Sequence, residues 1–238
     1  MDTLYIVIPT YNEQENIEEV VSEWYPVIDD KGDDSRLVVV NDGSRDNTLD
    51  ILNSLKEKYP KLTVLDKDNG GHGPAVLYGY DYAVKNGADY VFQTDSDLQT
   101  DPGEFGQFWD EREKNDAIFG YRPHRGDGLS RFLVEKVVCI LLFLSFRVKV
   151  PDANAPYRLF KADLFKHYLD IIEPDYALPN IILTAFYAYK KNDISFVPIS
   201  FTARKRGKQK MNIKKIIRIG FKSINDFKHY RKKIGKES

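Results

Sequence analysis

Short runs of β-branched and aliphatic residues recur along the chain, and each ends abruptly in a polar cluster. Leu4-Tyr5-Ile6-Val7-Ile8 stops at Pro9 and leads into Thr10-Tyr11-Asn12-Glu13; Leu37-Val38-Val39-Val40 ends in Asn41-Asp42-Gly43-Ser44; Tyr90-Val91-Phe92 runs through Gln93 and Thr94 into Asp95-Ser96-Asp97. Runs this short and this apolar read as strands buried on both faces. Helical spacing fills the intervals. Asn12 with Glu15 resembles a capping box, opening a helix whose buried stripe is Ile17, Val20, Val21 and Trp24. Further helices are expected over residues 48–58, from the glycine-rich loop 68–74 to Asn86 with Gly87 as its stop, and over 102–113, with strands at 62–65 and 117–121. Strand and helix alternating at this spacing predict an α/β fold with a mostly parallel sheet, whose ligands bind beyond the carboxyl ends of the strands.

Beyond Arg122 the pattern loosens. A glycine- and arginine-bearing loop, 124–130, precedes an apolar helix over 131–146; Pro151 to Pro156 turns into a short strand at Tyr157, and a helix follows Ala162. Pro179 opens another helix, residues 194–201 alternate as a strand, and a last helix after Met211 sets Ile213, Ile216, Ile217, Phe221, Ile224 and Phe227 at helical spacing among lysines. No internal repeat is visible. The expected organisation is a domain over 1–210, with a nucleotide-binding half at 1–122 and an acceptor-side half at 123–210, followed by a basic amphipathic helix at 211–238.

Composition narrows the classes. With 42% hydrophobic residues in a chain of 238, a sizeable core is expected rather than disorder. The amino terminus lacks the basic, apolar and small-residue succession of a signal peptide, so none is expected. A single cysteine, Cys139, excludes an intramolecular disulfide and fits a reducing compartment. From Arg204 onward 14 lysines and arginines face only Asp226 and Glu237, a net of +12, which leaves −13 for residues 1–203 of the total of −1. The tail therefore calls for an anionic partner. Interleaved isoleucines suit a membrane surface, whereas nucleic acid would call for stacking aromatics and a recognisable motif, so no nucleic acid is expected. The longest apolar run, 137–146, falls short of the roughly 20 residues that cross a bilayer.

The chemistry centres on Asp95 and Asp97. Two carboxylates this close repel unless a cation lies between them, and hard oxygen ligands suit Mg²⁺ or Mn²⁺, with Gln99 able to add a neutral oxygen. The bland reading is that the pair caps the helix after Pro102. Polar clusters at three strand ends, 10–13, 41–44 and 95–99, favour a site. The N–H groups of the glycine-rich loop favour an anion, a signal that is weak by itself.

Taken together these residues resemble the family-2 glycosyltransferases of GT-A fold, and most closely the polyprenol- or dolichol-phosphate sugar transferases. The likeness covers about residues 4–211 and rests on five ordered blocks: Ile8 to Glu13, Asn41 to Thr48, Asp95-Ser96-Asp97-Leu98-Gln99, Tyr157-Arg158-Leu159-Phe160, and Arg204 with Gly207 and Lys210. The resemblance implies a nucleotide-diphospho-sugar donor, GDP- or UDP-linked, with Pro9, Tyr11, Glu13, Val40 and Asp42 as base and ribose contacts and Ser96 beside them. It also implies that Asp95, Asp97 and Gln99 form the metal set, and that Arg122, Arg204 and Lys210 are cations against donor phosphate or acceptor. Arg131 and Arg158 are candidate acceptor contacts.

One departure bears on the acceptor. Relatives that build saccharides resemble one another in an acidic pair at the start of the helix that here begins Leu178-Pro179-Asn180, and no acid stands there. A hydroxyl nucleophile needs a base, but a phosphate monoester is already ionised near neutrality. The reading is thus an inverting, metal-dependent transferase that delivers a sugar to polyprenyl phosphate, peripheral at the cytoplasmic face of the membrane, with a membrane protein as a further candidate partner. Transfer to a sugar hydroxyl, with Glu173 or Asp175 as a displaced base, is the enzymatic alternative, and a non-catalytic nucleotide-binding module is the other.

Overall fold

The structure is a computed structural model that describes residues 2–123, 129–202 and 213–236, with the side chains of 129–133 and 213–222 left out. Seven strands, β1 (Leu4–Thr10), β2 (Arg36–Asp42), β3 (Leu62–Lys67), β4 (Tyr90–Thr94), β5 (Ala117–Tyr121), β6 (Tyr157–Lys161) and β7 (Ile194–Pro198), form one sheet in the order β3-β2-β1-β4-β6-β5-β7. β1 pairs in parallel with β2 and β4, β2 with β3 and β5 with β7, while β6 alone runs antiparallel to its neighbours β4 and β5. Among the described residues eight helices flank it: α1 (Ile17–Asp29), α2 (Thr48–Leu55), α3 (His72–Lys85), α4 (Phe105–Asp110), α5 (Leu129–Phe146), α6 (Ala162–Ile171), α7 (Pro179–Lys190) and α8 (Ile213–Ile234).

Every residue of β1 and of β4 is buried, because alternate side chains feed two cores. Leu4, Ile6, Ile8, Leu37, Val39 and Phe92 face a core with α1, α2 and α4. Val7, Val38, Val40 and Val91 face the other, filled by residues of α3, α5, α6, α7 and α8. α3 lies hard against the sheet at Gly79, where a Cβ would stand 2.4 Å from Val7 Cγ1 and 2.9 Å from Val40 Cγ2. Any larger residue would force Val7 or Val40 to move.

Several boundaries differ from the expectations, each for a local reason. α1 begins at Ile17, not Asn12: Asn12 has a left-handed φ of 54°, and its side-chain oxygen accepts the Arg45 N–H at 2.8 Å instead of capping a helix. The helix expected over 102–113 is broken into a 3₁₀ turn, α4 and a second 3₁₀ turn, with the Arg112 guanidinium bonding the Trp109 carbonyl at 2.9 Å and so closing α4. α2 ends at Leu55, short of Lys58, and β7 at Pro198, short of Phe201.

The described second half of α8 docks on the protein itself. Phe227, Tyr230 and Ile234 are buried, with Tyr230 against Tyr176 at 4.8 Å and Phe227 against Phe146 at 6.3 Å between ring centroids. Glu173, expected as a displaced base in the hydroxyl-acceptor alternative, is the clamp for this contact: Lys233 and the Tyr230 hydroxyl both donate to its carboxylate, and Lys233 also reaches the Ile171 carbonyl at 3.2 Å. Burial alone would raise the Glu173 pKa, but these hydrogen bonds outweigh it and hold the value at about 2. The folded pKa lies below the ordinary 4.5, so the clamp stabilises above that pH and is lost as pH falls from there toward 2. Glu173→Gln is therefore expected to lower stability at neutral pH by about 1 kcal/mol. Thermal denaturation across pH should show the gap from wild type closing in acid; a gap that is constant with pH would contradict the clamp.

Candidate active site

The sheet order places β1 and β4 side by side while their chain connections leave in opposite directions, α1 toward β2 and α4 toward β5. A crevice opens at the carboxyl ends of such a strand pair. Thr10 ends β1 there, buried, with its hydroxyl lacking a hydrogen-bond partner among the described residues. Tyr11 beyond it is 42% exposed. Pro9 is buried, and Val40 is wholly enclosed in the core beneath Gly79.

The loops after β1 and β2 are stitched together. Asn12 N–H donates to Ser44 Oγ, Glu13 N–H to Thr48 Oγ1, Gln14 N–H to Asp46 and Asn47 N–H to Gln14 Oε1, at 2.9 to 3.3 Å. The Glu13 carboxylate accepts from Asn16 Nδ2 at 2.6 Å. Asp42 takes up the glycine-rich loop: Oδ1 accepts from Gly70 N–H at 2.9 Å and Lys67 Nζ at 2.6 Å, and Oδ2 from Gly71 N–H at 2.8 Å. The anion that this loop's N–H groups were expected to attract is, at Gly70 and Gly71, the protein's own carboxylate.

At the end of β4 the capping question resolves. Asp101, not Asp95 or Asp97, accepts the Gly103 N–H at 2.8 Å at the start of the turn that follows. Asp97 Oδ1 accepts the Gln99 N–H at 3.3 Å, across Leu98 with its left-handed φ of 57°. Asp95, 26% exposed at its side chain, accepts from Gln93 Nε2 through Oδ1, and no hydrogen bond reaches its Oδ2 among the described residues. His72, the first residue of α3, brings Nε2 to 3.9 Å from Asp95 Oδ1. Ser96 is buried between the two acids. Gln99 is buried as well, with Nε2 donating to the Thr202 carbonyl at 2.6 Å and its own carbonyl accepting the Thr202 N–H at 3.0 Å.

The arginines divide. Arg122 makes a two-pronged bond to buried Asp152, Nε to Oδ2 at 2.8 Å and a terminal nitrogen to Oδ1 at 3.1 Å, with Glu135 at 4.0 Å and the Phe201 ring beneath the guanidinium at 4.9 Å. Arg158, expected as an acceptor contact, is instead 1% exposed and satisfied by the carbonyls of Ala153, Ala155 and Asn180. It braces β6 against α7, and burial lowers its pKa to about 10. Arg131 lies on α5 with its side chain outside the described residues, and Arg204 and Lys210 fall outside them altogether. Sequence reasoning missed Asp152 and Gln93. The signal for Gln93 was a long polar side chain inside a strand with no exposed residue.

Residues 5–169 match the family model described as Glycosyl transferase family 2. The chain is 26% identical over 225 residues to the undecaprenyl-phosphate 4-deoxy-4-formamido-L-arabinose transferase of Shewanella sediminis, covering 93% of this chain and 65% of that protein. It is 25% identical over 229 residues to the glycosyltransferase YkcC of Bacillus subtilis, covering 94% and 68%. The chain thus spans about two thirds of the length of these relatives. Among solved structures it resembles glucosyl-3-phosphoglycerate synthase of Mycobacterium tuberculosis in complex with Mn²⁺, UDP and phosphoglyceric acid, with a TM-score of 0.70 at 17% identity, covering 97% of this chain and 78% of the other. It also resembles S. aureus TarS 1-349 in complex with UDP-GlcNAc, with a TM-score of 0.63 at 19% identity, covering 98% and 70%. These likenesses establish the GT-A architecture. With the family model spanning more than half of its length, the chain belongs to glycosyl transferase family 2.

Proposed function

We propose that this chain is a metal-dependent inverting glycosyltransferase that moves a sugar from a nucleotide-diphospho-sugar to a polyprenyl phosphate at the cytoplasmic face of the membrane. The observation that carries the reading is the pair Asp95 and Asp97 at the mouth of the crevice between β1 and β4, released from capping by Asp101. Their donor chemistry fits a hard divalent cation: carboxylate oxygens only, with Asp95 Oδ2 unbonded among the described residues. Asp95 and Asp97 would hold Mg²⁺ or Mn²⁺, which when bound neutralises the leaving diphosphate. The presence of Mn²⁺ and UDP in the M. tuberculosis neighbour supports that assignment.

Tyr11, Asp42 and the stitched loops bound the nucleotide side, with the base GDP- or UDP-type. Arg204 and Lys210 supply cations for phosphate, and the described chain leading to them ends at Thr202, which is tied to Gln99 beside the acids. On the acceptor side, an oxygen of the acceptor phosphate forms the bond to the anomeric carbon as the bond to the diphosphate oxygen breaks, with inversion. No protein base is needed for an already ionised phosphate. Two features support this acceptor: the residue at the start of α7 is the amide Asn180, and Glu173 is engaged by α8. The name of the Shewanella relative points the same way.

Membrane contact has its own support. The outward side of α5 exposes Val137, Ile140 (57%), Phe143 and Leu144, flanked by exposed Lys136, Arg147 and Lys149. No helix among the described residues is long and apolar enough to cross a bilayer. An apolar stripe rimmed by cations matches the interface of an anionic leaflet.

Asp97→Asn is expected to cut turnover about 100-fold or more with an unchanged fold, since one lost stabiliser of developing charge costs about 3 kcal/mol. Activity equal to wild type, or undiminished in excess EDTA, refutes the metal role. Glu173→Gln and Asp175→Asn are each expected to keep transfer to polyprenyl phosphate; a loss of about 10³-fold in either, with folding intact, identifies a general base and the hydroxyl acceptor. Truncating α8 would strip the core of Phe227, Tyr230 and Ile234, so the membrane reading is tested by replacing Lys214, Lys215, Arg218 and Lys222 with glutamine. Sedimentation with anionic vesicles should then fall severalfold per charge at low salt, each being worth about 1 kcal/mol near such a surface. Undiminished sedimentation would remove the tail from membrane binding.

A further inference from the structure

We propose that Gln93 is a positioning residue for Asp95, acting through a buried chain of hydrogen bonds that runs from the metal carboxylate to the start of α7; the proposal rests on the metal reading of Asp95. Gln93, paired in register with Val7 of β1 and Arg158 of β6, is the last residue but one of β4, and Asp95 stands one residue beyond the strand's end. Its Nε2 donates to Asp95 Oδ1 at 3.0 Å, and its Oε1 accepts from Asn180 Nδ2 at 3.1 Å. Asn180 Oδ1 in turn accepts from the Tyr80 hydroxyl at 3.3 Å, and the Asn180 carbonyl accepts from Arg158 at 2.7 Å. Gln93 has no exposed surface, and Asn180 and Tyr80 are buried with it.

The order of the chain is dictated at one end. An ionised carboxylate only accepts, so Gln93 must turn its NH₂ to Asp95; its oxygen then faces Asn180, which must turn its own NH₂ inward and its oxygen to Tyr80. Each amide thereby has one orientation, and each hydrogen bond fixes the next. A valine or leucine would serve a fully buried strand without the desolvation that a glutamine side chain brings. The compensation is at Asp95: Oδ1 is held from behind, and Oδ2 carries no hydrogen bond from the described residues. Partners of a metal ligand typically change metal affinity by about 10- to 100-fold when removed, because they set the ligand's orientation before the metal arrives. Asn180 is thereby a structural partner of the donor side, in the place where an acid would serve a hydroxyl acceptor.

Binding of Mn²⁺ alone to the full chain, followed by the electron paramagnetic resonance of the free ion, tests the chain of contacts. Gln93→Met keeps the length and removes both hydrogen bonds; it is expected to weaken Mn²⁺ binding about tenfold while circular dichroism stays that of wild type, with the melting temperature lowered by a few degrees because buried Asn180 Nδ2 loses its partner. Transfer activity should recover at high Mn²⁺, raising the Mn²⁺ concentration for half-activation rather than lowering the maximal rate. Tyr80→Phe loosens only the far end and keeps the ring in the core, so it reads the same quantity if the first variant fails to fold, with about a twofold weakening expected. Asp95→Asn separates the two levels. If it abolishes Mn²⁺ binding while Gln93→Met and Tyr80→Phe bind as wild type, the positioning role is overturned and the metal site stands. If Asp95→Asn itself binds as wild type, the metal reading falls and this proposal with it.

Discussion

A sheet covered on both faces leaves its polar groups two places to go, and most of this structure follows from that constraint. Within β1, β2 and β4 the side chains feed one core or the other, so a polar group inside the slab must find a partner there or carry a desolvation cost of about 1–3 kcal/mol. Gln93, Arg158, Asn180 and Thr184 do so by bonding each other and the carbonyls of Ala153 and Ala155. Thr10, Asn41, Asp42 and Thr94, the other buried polar residues of these three strands, stand at the strands' carboxyl ends. Because only β6 runs against the rest, those ends collect on one edge.

That edge is held largely by its own residues. The blocks after β1 and β2 satisfy each other's N–H groups through Ser44, Asp46 and Thr48, and Asp42 fastens the loop before α3. A residue type that recurs in such a block therefore has scaffold work as well as any ligand contact. Asp42 shows the difficulty: both oxygens already have partners, so replacing it would release Gly70 and Gly71 before any effect on a nucleotide appeared. Loss of activity there would not by itself identify a ligand contact. Asp95 is different, since its Oδ2 has no partner among the described residues.

How much was legible in the sequence depends on which force set each feature. Burial set the strands, and the apolar runs placed Ala117–Tyr121 as observed and the ends of β1, β2 and β4 closely. Side chain to backbone bonds set the helix ends, and these have no period: Asn12 reads as a cap but bonds Arg45, and Arg112 ends α4 from beyond it. Arginine was the least legible residue. Arg158 and Arg122 look alike in a chain of letters, yet one is sealed against carbonyls and the other bridges Asp152. Which cation faces a ligand depends on contacts between segments far apart in sequence. The tail was ambiguous for a related reason, since helical spacing of apolar residues serves a membrane and a protein core equally well.

The docking of α8 also bears on the acceptor question, because it removes a candidate by occupancy rather than by absence. A general base near neutrality needs a carboxylate whose pKa approaches the working pH, which calls for burial without cationic partners. Glu173 has the opposite surroundings. Lys233 and Tyr230 hold its pKa at about 2, so it is a poor proton acceptor as well as being turned toward α8. Asn180, nearest in sequence to where a base would stand, donates to Gln93 and accepts from Tyr80, and its amide has no proton-accepting role to offer. Neither Glu173 nor Asn180 is therefore suited to be the base that a hydroxyl acceptor would need, which is consistent with the proposed phosphate acceptor.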